Sequence, residues 1–153
     1  MTLDSISTRE MLYEARINLT NVIEFGASMD ALVSQQSALP PEGARFDVAF
    51  DGTVSGSRLA GTVAGVDYLY VRADRRLQLH IHGVIATNDG TNISFFADGV
   101  AMPGAQGHLL ELRENVMLTT SSEAYSWVNP LQIWGSGTVD LQAMEIRVRA
   151  HIA

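Results

Sequence analysis

Residues 76–98, RLQLHIHGVIATNDGTNISFFAD, limit what this chain can become more than any other stretch, because they read as two β-strands joined by the turn Asn88-Asp89-Gly90. Period-two alternation places Gln78, His80 and His82 on one face of the first strand and Leu77, Leu79 and Ile81 on the other, the pattern of a half-buried strand. Asp-Gly between two such runs is a strong hairpin signal: Gly accepts a positive φ without steric cost, and Asp bonds its own backbone. Two imidazoles therefore point the same way, opposite an aliphatic face.

Runs of this kind recur along the chain. Leu12/Glu14/Arg16/Asn18/Thr20 alternate with Tyr13/Ala15/Ile17/Leu19, which predicts a first strand from Leu12 to Thr20, extending toward Phe25. Further strands are expected at Arg45–Asp51, Ser57–Ala64, Tyr68–Arg72, Gln78–Ala86, Asn92–Ala97, His108–Arg113, Asn115–Thr120, Leu131–Ser136 and Val139–His151. Turn chemistry separates them at Asp51-Gly52, Gly65, Ala73-Asp74, Asp89-Gly90, Pro103-Gly104, Ser121-Ser122 and Gly135-Ser136-Gly137. Residues 1–10 form a lead-in, with a short helical piece over 4–10. Within residues 27–40, Ser28 caps a helical turn whose Met29, Leu32 and Val33 share one face; this segment is either a surface connector or a lid. The fold class that follows is all-β, a single domain over residues 1–153 forming one antiparallel barrel of about eight to ten strands, because closure removes exposed sheet edges. With about eight strands, the interior is either filled by side chains or holds one small ligand.

Composition narrows the function classes. The net charge is −7, from 17 acidic and 10 basic residues, every basic residue is Arg, and the arginines are scattered. Nucleic-acid binding needs a positive field, so that class is set aside. No cysteine is present, which removes disulfides and thiolate metal sites. The start, MTLDSISTREMLYEARINL, has neither a secretory core nor a membrane span, so a soluble cytoplasmic protein without a membrane partner is expected.

Several phrases then acquire a meaning together: Gly56-Ser57-Arg58-Leu59-Ala60-Gly61-Thr62-Val63, Asp67-Tyr68 with Val71-Arg72-Ala73-Asp74, Thr87-Asn88-Asp89-Gly90, and Tyr125-Ser126-Trp127-Val128-Asn129. In that order they resemble the DUF3237 (UPF0311) family over about residues 11–150. The resemblance implies a small lipocalin-like β-barrel, often paired as a homodimer, whose biochemical role is largely unassigned. The chain departs from the pattern where an acidic-x-Arg pair becomes His80-Ile81-His82, where Phe-Glu-Thr becomes Leu118-Thr119-Thr120, and where Asp-Gly becomes Asp74-Arg75. If those positions line a pocket, two imidazoles replace a carboxylate and a guanidinium.

His80 and His82 are the sharpest chemical signal. Imidazole titrates near pH ~6.5, so the pair can act as acid and base or offer two nitrogens to a metal. Asp67, Asp98, Glu145 or His108 could supply a third ligand, but no local motif places one, and no metal is assigned. The bland alternative is that both rings are ordinary solvent-facing sheet residues. Glu145, Arg147 and Arg149 share one face of the last strand and read most simply as a solvated outer surface.

Among the aromatics Tyr68, Tyr70, Tyr125, Trp127, Trp134, Phe95 and Phe96, some can line a cavity for a flat apolar ligand and some must simply be core. Arg58 can take a ligand carboxylate or tie down a loop, and Tyr125, Trp127 and Asn129 can form a pocket wall or a structural corner. Thr87 enters through the matched turn phrase. The resulting expectation is a barrel that receives a small apolar or aromatic metabolite and works on it without a cofactor by proton transfer, as an isomerase, lyase or cyclase. In that scheme His80, His82 and Tyr125 are catalytic, and Arg58, Tyr68, Tyr70, Thr87, Phe96, Trp127, Asn129 and Trp134 bind substrate. A non-catalytic carrier of such a ligand is the alternative.

Overall fold

The computed structural model describes residues 9–34, 38–104 and 106–153. Its strands are β1 (Met11–Glu24), β2 (Ala44–Ser55), β3 (Gly61–Val71), β4 (Leu77–Thr87), β5 (Asn92–Pro103), β6 (Leu109–Thr119), β7 (Ile133–Asp140) and β8 (Glu145–Ile152). Each pairs antiparallel with the next, and β8 returns to β1, so the sheet is a closed barrel of eight strands. Closure leaves no edge to protect. A short helix α1 (Met29–Val33) follows β1, and a 3-10 helix (Glu123–Val128) links β6 to β7. No helix among the described residues is long and apolar enough to cross a membrane.

Alternation assigns the faces as the barrel requires. Tyr13, Ala15 and Ile17 of β1 and Leu79 and Ile81 of β4 are buried, while their neighbours Glu14, Arg16, His80 and His82 are exposed. Each large aliphatic side chain removed from water contributes about 1.5–3 kcal/mol, whereas an imidazole buried without partners costs free energy, so the aliphatic face of β4 goes inward. Glu145 and Arg149 lie exposed on the outside, as a solvated face should.

The β4–β5 hairpin turns at Asn88-Asp89-Gly90, where the Gly90 N–H donates to the Thr87 carbonyl at 3.0 Å. Ser28 caps α1, its hydroxyl accepting from the Ala31 N–H at 3.2 Å. The expected helical piece at 4–10 falls almost wholly on residues 1–8, outside the described residues.

Four expected strand breaks are absent, the first at Asp51-Gly52, through which β2 runs on to Ser55. The expected strands Ser57–Ala64 and Tyr68–Arg72 merge into one, β3, which begins only at Gly61 and ends at Val71, and in it Gly65 is a point of close approach: a Cβ there would sit 2.2 Å from the His82 carbonyl oxygen. His108–Arg113 and Asn115–Thr120 merge as β6 through Glu114. Gly135-Ser136-Gly137 runs inside β7, and the reversal comes later, where Asp140 Oδ1 accepts from the N–H groups of Gln142 and Ala143, each at 3.0 Å.

The barrel has two unlike ends. At one, Val128 of the 3-10 helix is fully buried, with Leu12, Leu59, Ile85, Ile93, Val116, Leu118 and Ile133 almost completely excluded from water. That end is solid. The other half encloses a hollow, whose lining includes Met29 of α1 with Leu19, Val22 and Leu77.

Candidate active site

The hollow has a volume of about 90 Å³ and a wall built from inward positions of every strand, including Val48 and Phe50 of β2, Leu79 and Ile81 of β4, and Val148 of β8. Among the described side chains lining it, only Tyr13, Asp67 and Glu114 carry oxygen. Three polar groups in an otherwise apolar enclosure are what a small-molecule site needs to orient a ligand.

Each of the three arrives by strand periodicity. Tyr13 belongs to the inward file of β1 with Ala15 and Ile17, Asp67 to that of β3 with Val63 and Leu69, and Glu114 to that of β6 with Leu110 and Leu112. Gly135 of β7 makes room for Glu114, since a Cβ there would lie 2.8 Å from its Cγ and 2.9 Å from its Oε1. The pairing of β3 with β4 lapses between Asp67↔Ile81 and Tyr70↔Gln78, and there the backbone N–H of His80 donates to Asp67 Oδ1 at 2.9 Å.

Burial sets the protonation of the pair. Glu114 is pushed from 4.5 up to about 8, first by loss of water and then by the nearby Asp67 charge. Asp67 is raised from 3.8 to about 6 by desolvation, which the His80 amide, the His80 ring and Arg45 partly offset. Near neutral pH the two carboxyls therefore hold about one proton between them, with Glu114 the acid and Asp67 the carboxylate. Burial raises the Tyr13 phenol well above its ordinary 10, with Glu114 adding to the effect, and among the described residues its hydroxyl has no hydrogen-bond partner. A buried O–H left unpaired is an opening for a ligand oxygen.

None of the residues given a catalytic or substrate-binding role from sequence lines this hollow, although Phe95, one of the aromatics weighed for a cavity wall, does. His80 and His82 were expected to look inward, but they stand on the outer face with Tyr68 and Phe96, because the apolar file of β4 took the interior. Trp134 is outside as well, 45% exposed, with the Arg9 guanidinium 4.9 Å from its ring centre. Tyr70 is tied down by donating to the Glu42 carbonyl at 2.7 Å.

The remainder form a collar at the solid end. Arg58 pairs with Glu10 at 3.0 Å and lies over Trp127 at 4.0 Å, so it ties a loop. Thr87 hydrogen-bonds Asp89 within the turn, and Tyr125 donates to Asp89 Oδ2 at 3.0 Å. Asn129 clamps Thr120, accepting from its N–H at 2.8 Å and donating to its carbonyl at 2.9 Å. Tyr-x-Trp-x-Asn is thus a structural corner.

Sequence reasoning passed over Tyr13 and Glu114, and weighed Asp67 only as a metal ligand. The signal was present: Leu110, Leu112, Glu114, Val116 and Leu118 form one inward file interrupted by a single carboxylate, as Val63, Asp67, Leu69 and Val71 do in β3.

Comparison with known proteins agrees with this architecture. A family model described as "Protein of unknown function (DUF3237)" matches residues 10–150, nearly the whole chain, which therefore belongs to that family. The solved structure of a β-barrel-like protein from Acinetobacter baumannii superposes with a TM-score of 0.77 at 21% identity, covering 95% of this chain and 94% of the other. A protein of unknown function from Clostridium acetobutylicum gives 0.77 at 18%, covering 95% and 97%. An enzyme from Penicillium herquei gives 0.62 at 21%, covering 95% of each. In sequence, the hydroalkoxylation enzyme phnH of Penicillium herquei is 34% identical over 86 residues, 56% of this chain and 51% of that enzyme. The match spans about half of that relative's length.

Proposed function

We propose that this member of the DUF3237 family is an enzyme that moves protons on a small apolar, unsaturated substrate enclosed in the barrel, with Glu114 as general acid and Asp67 as general base. The observation that carries this reading is that two carboxyls, whose proton affinities burial raises to different levels, line one hollow otherwise walled by apolar side chains and one phenol. Two acids whose surroundings separate their proton affinities are a recurrent sign of acid and base roles.

The favoured reaction is addition of a substrate O–H across a C=C bond of the same molecule, closing a ring. Glu114 delivers a proton to one alkene carbon, the hydroxyl oxygen bonds the other, and Asp67 accepts the hydroxyl proton. The substrate gains and loses one proton, so the step balances without a redox partner, and transfer of a proton back from Asp67 to Glu114 restores the starting state. Tyr13 donates its unpaired hydroxyl to the substrate oxygen and sets its orientation. The partial likeness to a hydroalkoxylation enzyme supports this class over plain isomerisation.

The test is turnover of alkenyl phenols, followed as ring-closed isomers of equal mass that take up one deuterium at carbon in D2O. Glu114→Gln and Asp67→Asn should each lower the rate by about 10²- to 10⁴-fold. Because Asp67 must be ionised and Glu114 protonated, kcat/KM should rise through about pH 6 and fall through about pH 8. Full activity in both variants would remove the acid and base roles. A ligand bound by the wild type and recovered unchanged across the series would make the barrel a carrier.

A further inference from the structure

The outer face of β4 holds a second arrangement, outside the hollow. His80 Nε2 and His82 Nε2 face each other at 3.2 Å. Both rings are exposed, and neighbouring aromatics fix their planes. Phe96 meets them edge-on at 5.6 and 5.1 Å between centroids, and Tyr68 stands at 6.3 and 6.1 Å.

That spacing matches a metal's coordination edge. Two nitrogens about 2.0–2.1 Å from a tetrahedral Zn²⁺ lie about 3.3 Å apart, and a cis pair on a square-planar ion lies about 2.9 Å apart. The observed value falls between the two, so an ion can replace the proton now shared by the facing nitrogens with little movement of either ring. Asp98 stands directly across from His80 in the β4–β5 register and adds negative charge to the same face, its Oδ1 accepting from Asn115 at 3.2 Å. Rings already held in place lose little freedom on binding.

We propose that His80 and His82 form a two-nitrogen site on the barrel exterior for a borderline divalent transition ion, Cu²⁺ or Zn²⁺. Among the described residues no group of three His, Cys, Asp or Glu gathers into a closed cage, so water completes the coordination shell and the site stays open and exchangeable. Neutral imidazole nitrogens without thiolate or clustered oxygen favour copper and zinc over calcium and magnesium.

The experiment is calorimetric titration of the full chain with CuCl₂ and separately with ZnCl₂, with Mg²⁺ as the control ion. Wild type should bind one ion with copper tighter than zinc, and His80→Ala and His82→Ala should each weaken binding at least tenfold. Both side chains are exposed, so far-UV circular dichroism should be unchanged in the variants. In NMR, sub-stoichiometric Cu²⁺ should broaden the ring signals of His80 and His82 ahead of those of His108 and His151. Undiminished binding in the double variant His80→Ala/His82→Ala, or no binding by wild type at about 1 mM ion, overturns the site. Neither result decides the acid and base roles in the hollow, which the Asp67 and Glu114 variants test, even though the His80 ring is one of the groups that lower the Asp67 pKa.

Discussion

The two halves of the barrel are built from the same eight strands, yet one is packed solid and the other is kept open. In the solid half the inward files end in Ile85, Ile93, Leu118 and Ile133, and Val128 of the 3-10 helix is fully buried. In the hollow half the same files reach Leu79, Ala101 and Glu114, and no helix residue is buried there, since α1 contributes none. The most completely buried side chains are concentrated at one end and the enclosed polar groups at the other. A barrel of this strand number sits at the limit where its interior can just be filled, so a few small residues and one absent plug decide which half is which.

Truncation should expose the difference most strongly. Ile85→Ala opens a void in a close-packed region and should cost on the order of 4 kcal/mol. Ile81→Ala enlarges space that already exists, and its neighbours lose fewer contacts, so about half that cost is expected. Urea unfolding of the two variants measures both values. Equal losses would show the halves to be packed alike.

The same division explains what could be read from the sequence. Strand alternation, the Asp89-Gly90 hairpin, the Ser28 cap and barrel closure were all legible, because each depends on local periodicity or turn chemistry. The site was not. Leu79 and Ile81 compete with His80 and His82 for the interior, and burial of hydrocarbon decides that contest for any closed barrel. Attention to chemically conspicuous side chains favoured the wrong face.

Glu114 was lost in another way. A charge in the middle of an apolar file looks like the end of a strand, so β6 was divided at the very residue that gives the hollow its acid. Asp67 suffered likewise beside Gly65, in a strand that continues because glycine permits the close approach of β4. What distinguishes a functional interruption from a turn is the partner across the barrel, and one sequence does not show which files face each other.

A second way to sharpen the contrast is to remove the cost of the acid itself. Glu114 has a folded pKa raised from 4.5 to about 8, so below about pH 4.5 both folded and unfolded chains are protonated and no penalty exists. Between 4.5 and about 8 the unfolded chain releases the proton while the folded chain retains it, and stability falls with rising pH. At about 1.4 kcal/mol per pH unit, the penalty is on the order of 3 kcal/mol by pH 7. Glu114→Gln should therefore raise the melting temperature at pH 7 by roughly 5–10 °C while leaving it nearly unchanged at pH 4. The variant gains stability as it loses turnover, the signature of a residue kept for function. A melting temperature shifted equally at both pH values would contradict this account.

The smallest effect belongs to the collar at the solid end. Asp89 is held below the usual carboxylate range by hydrogen bonds from Thr87 first and Tyr125 second, so what it contributes is present above its unfolded pKa and is lost as pH falls through its lower folded value. Tyr125→Phe removes the second of those bonds and should move the Asp89 titration, followed by NMR of its carboxyl carbon, back toward the ordinary 3.8 without reaching it, because the Thr87 bond persists. Turnover should stay within about twofold, since Tyr125 does not line the hollow and one exposed hydrogen bond carries little energy. A fall in rate approaching that of Asp67→Asn would instead place a reacting group at the collar and undo the separation of the two ends.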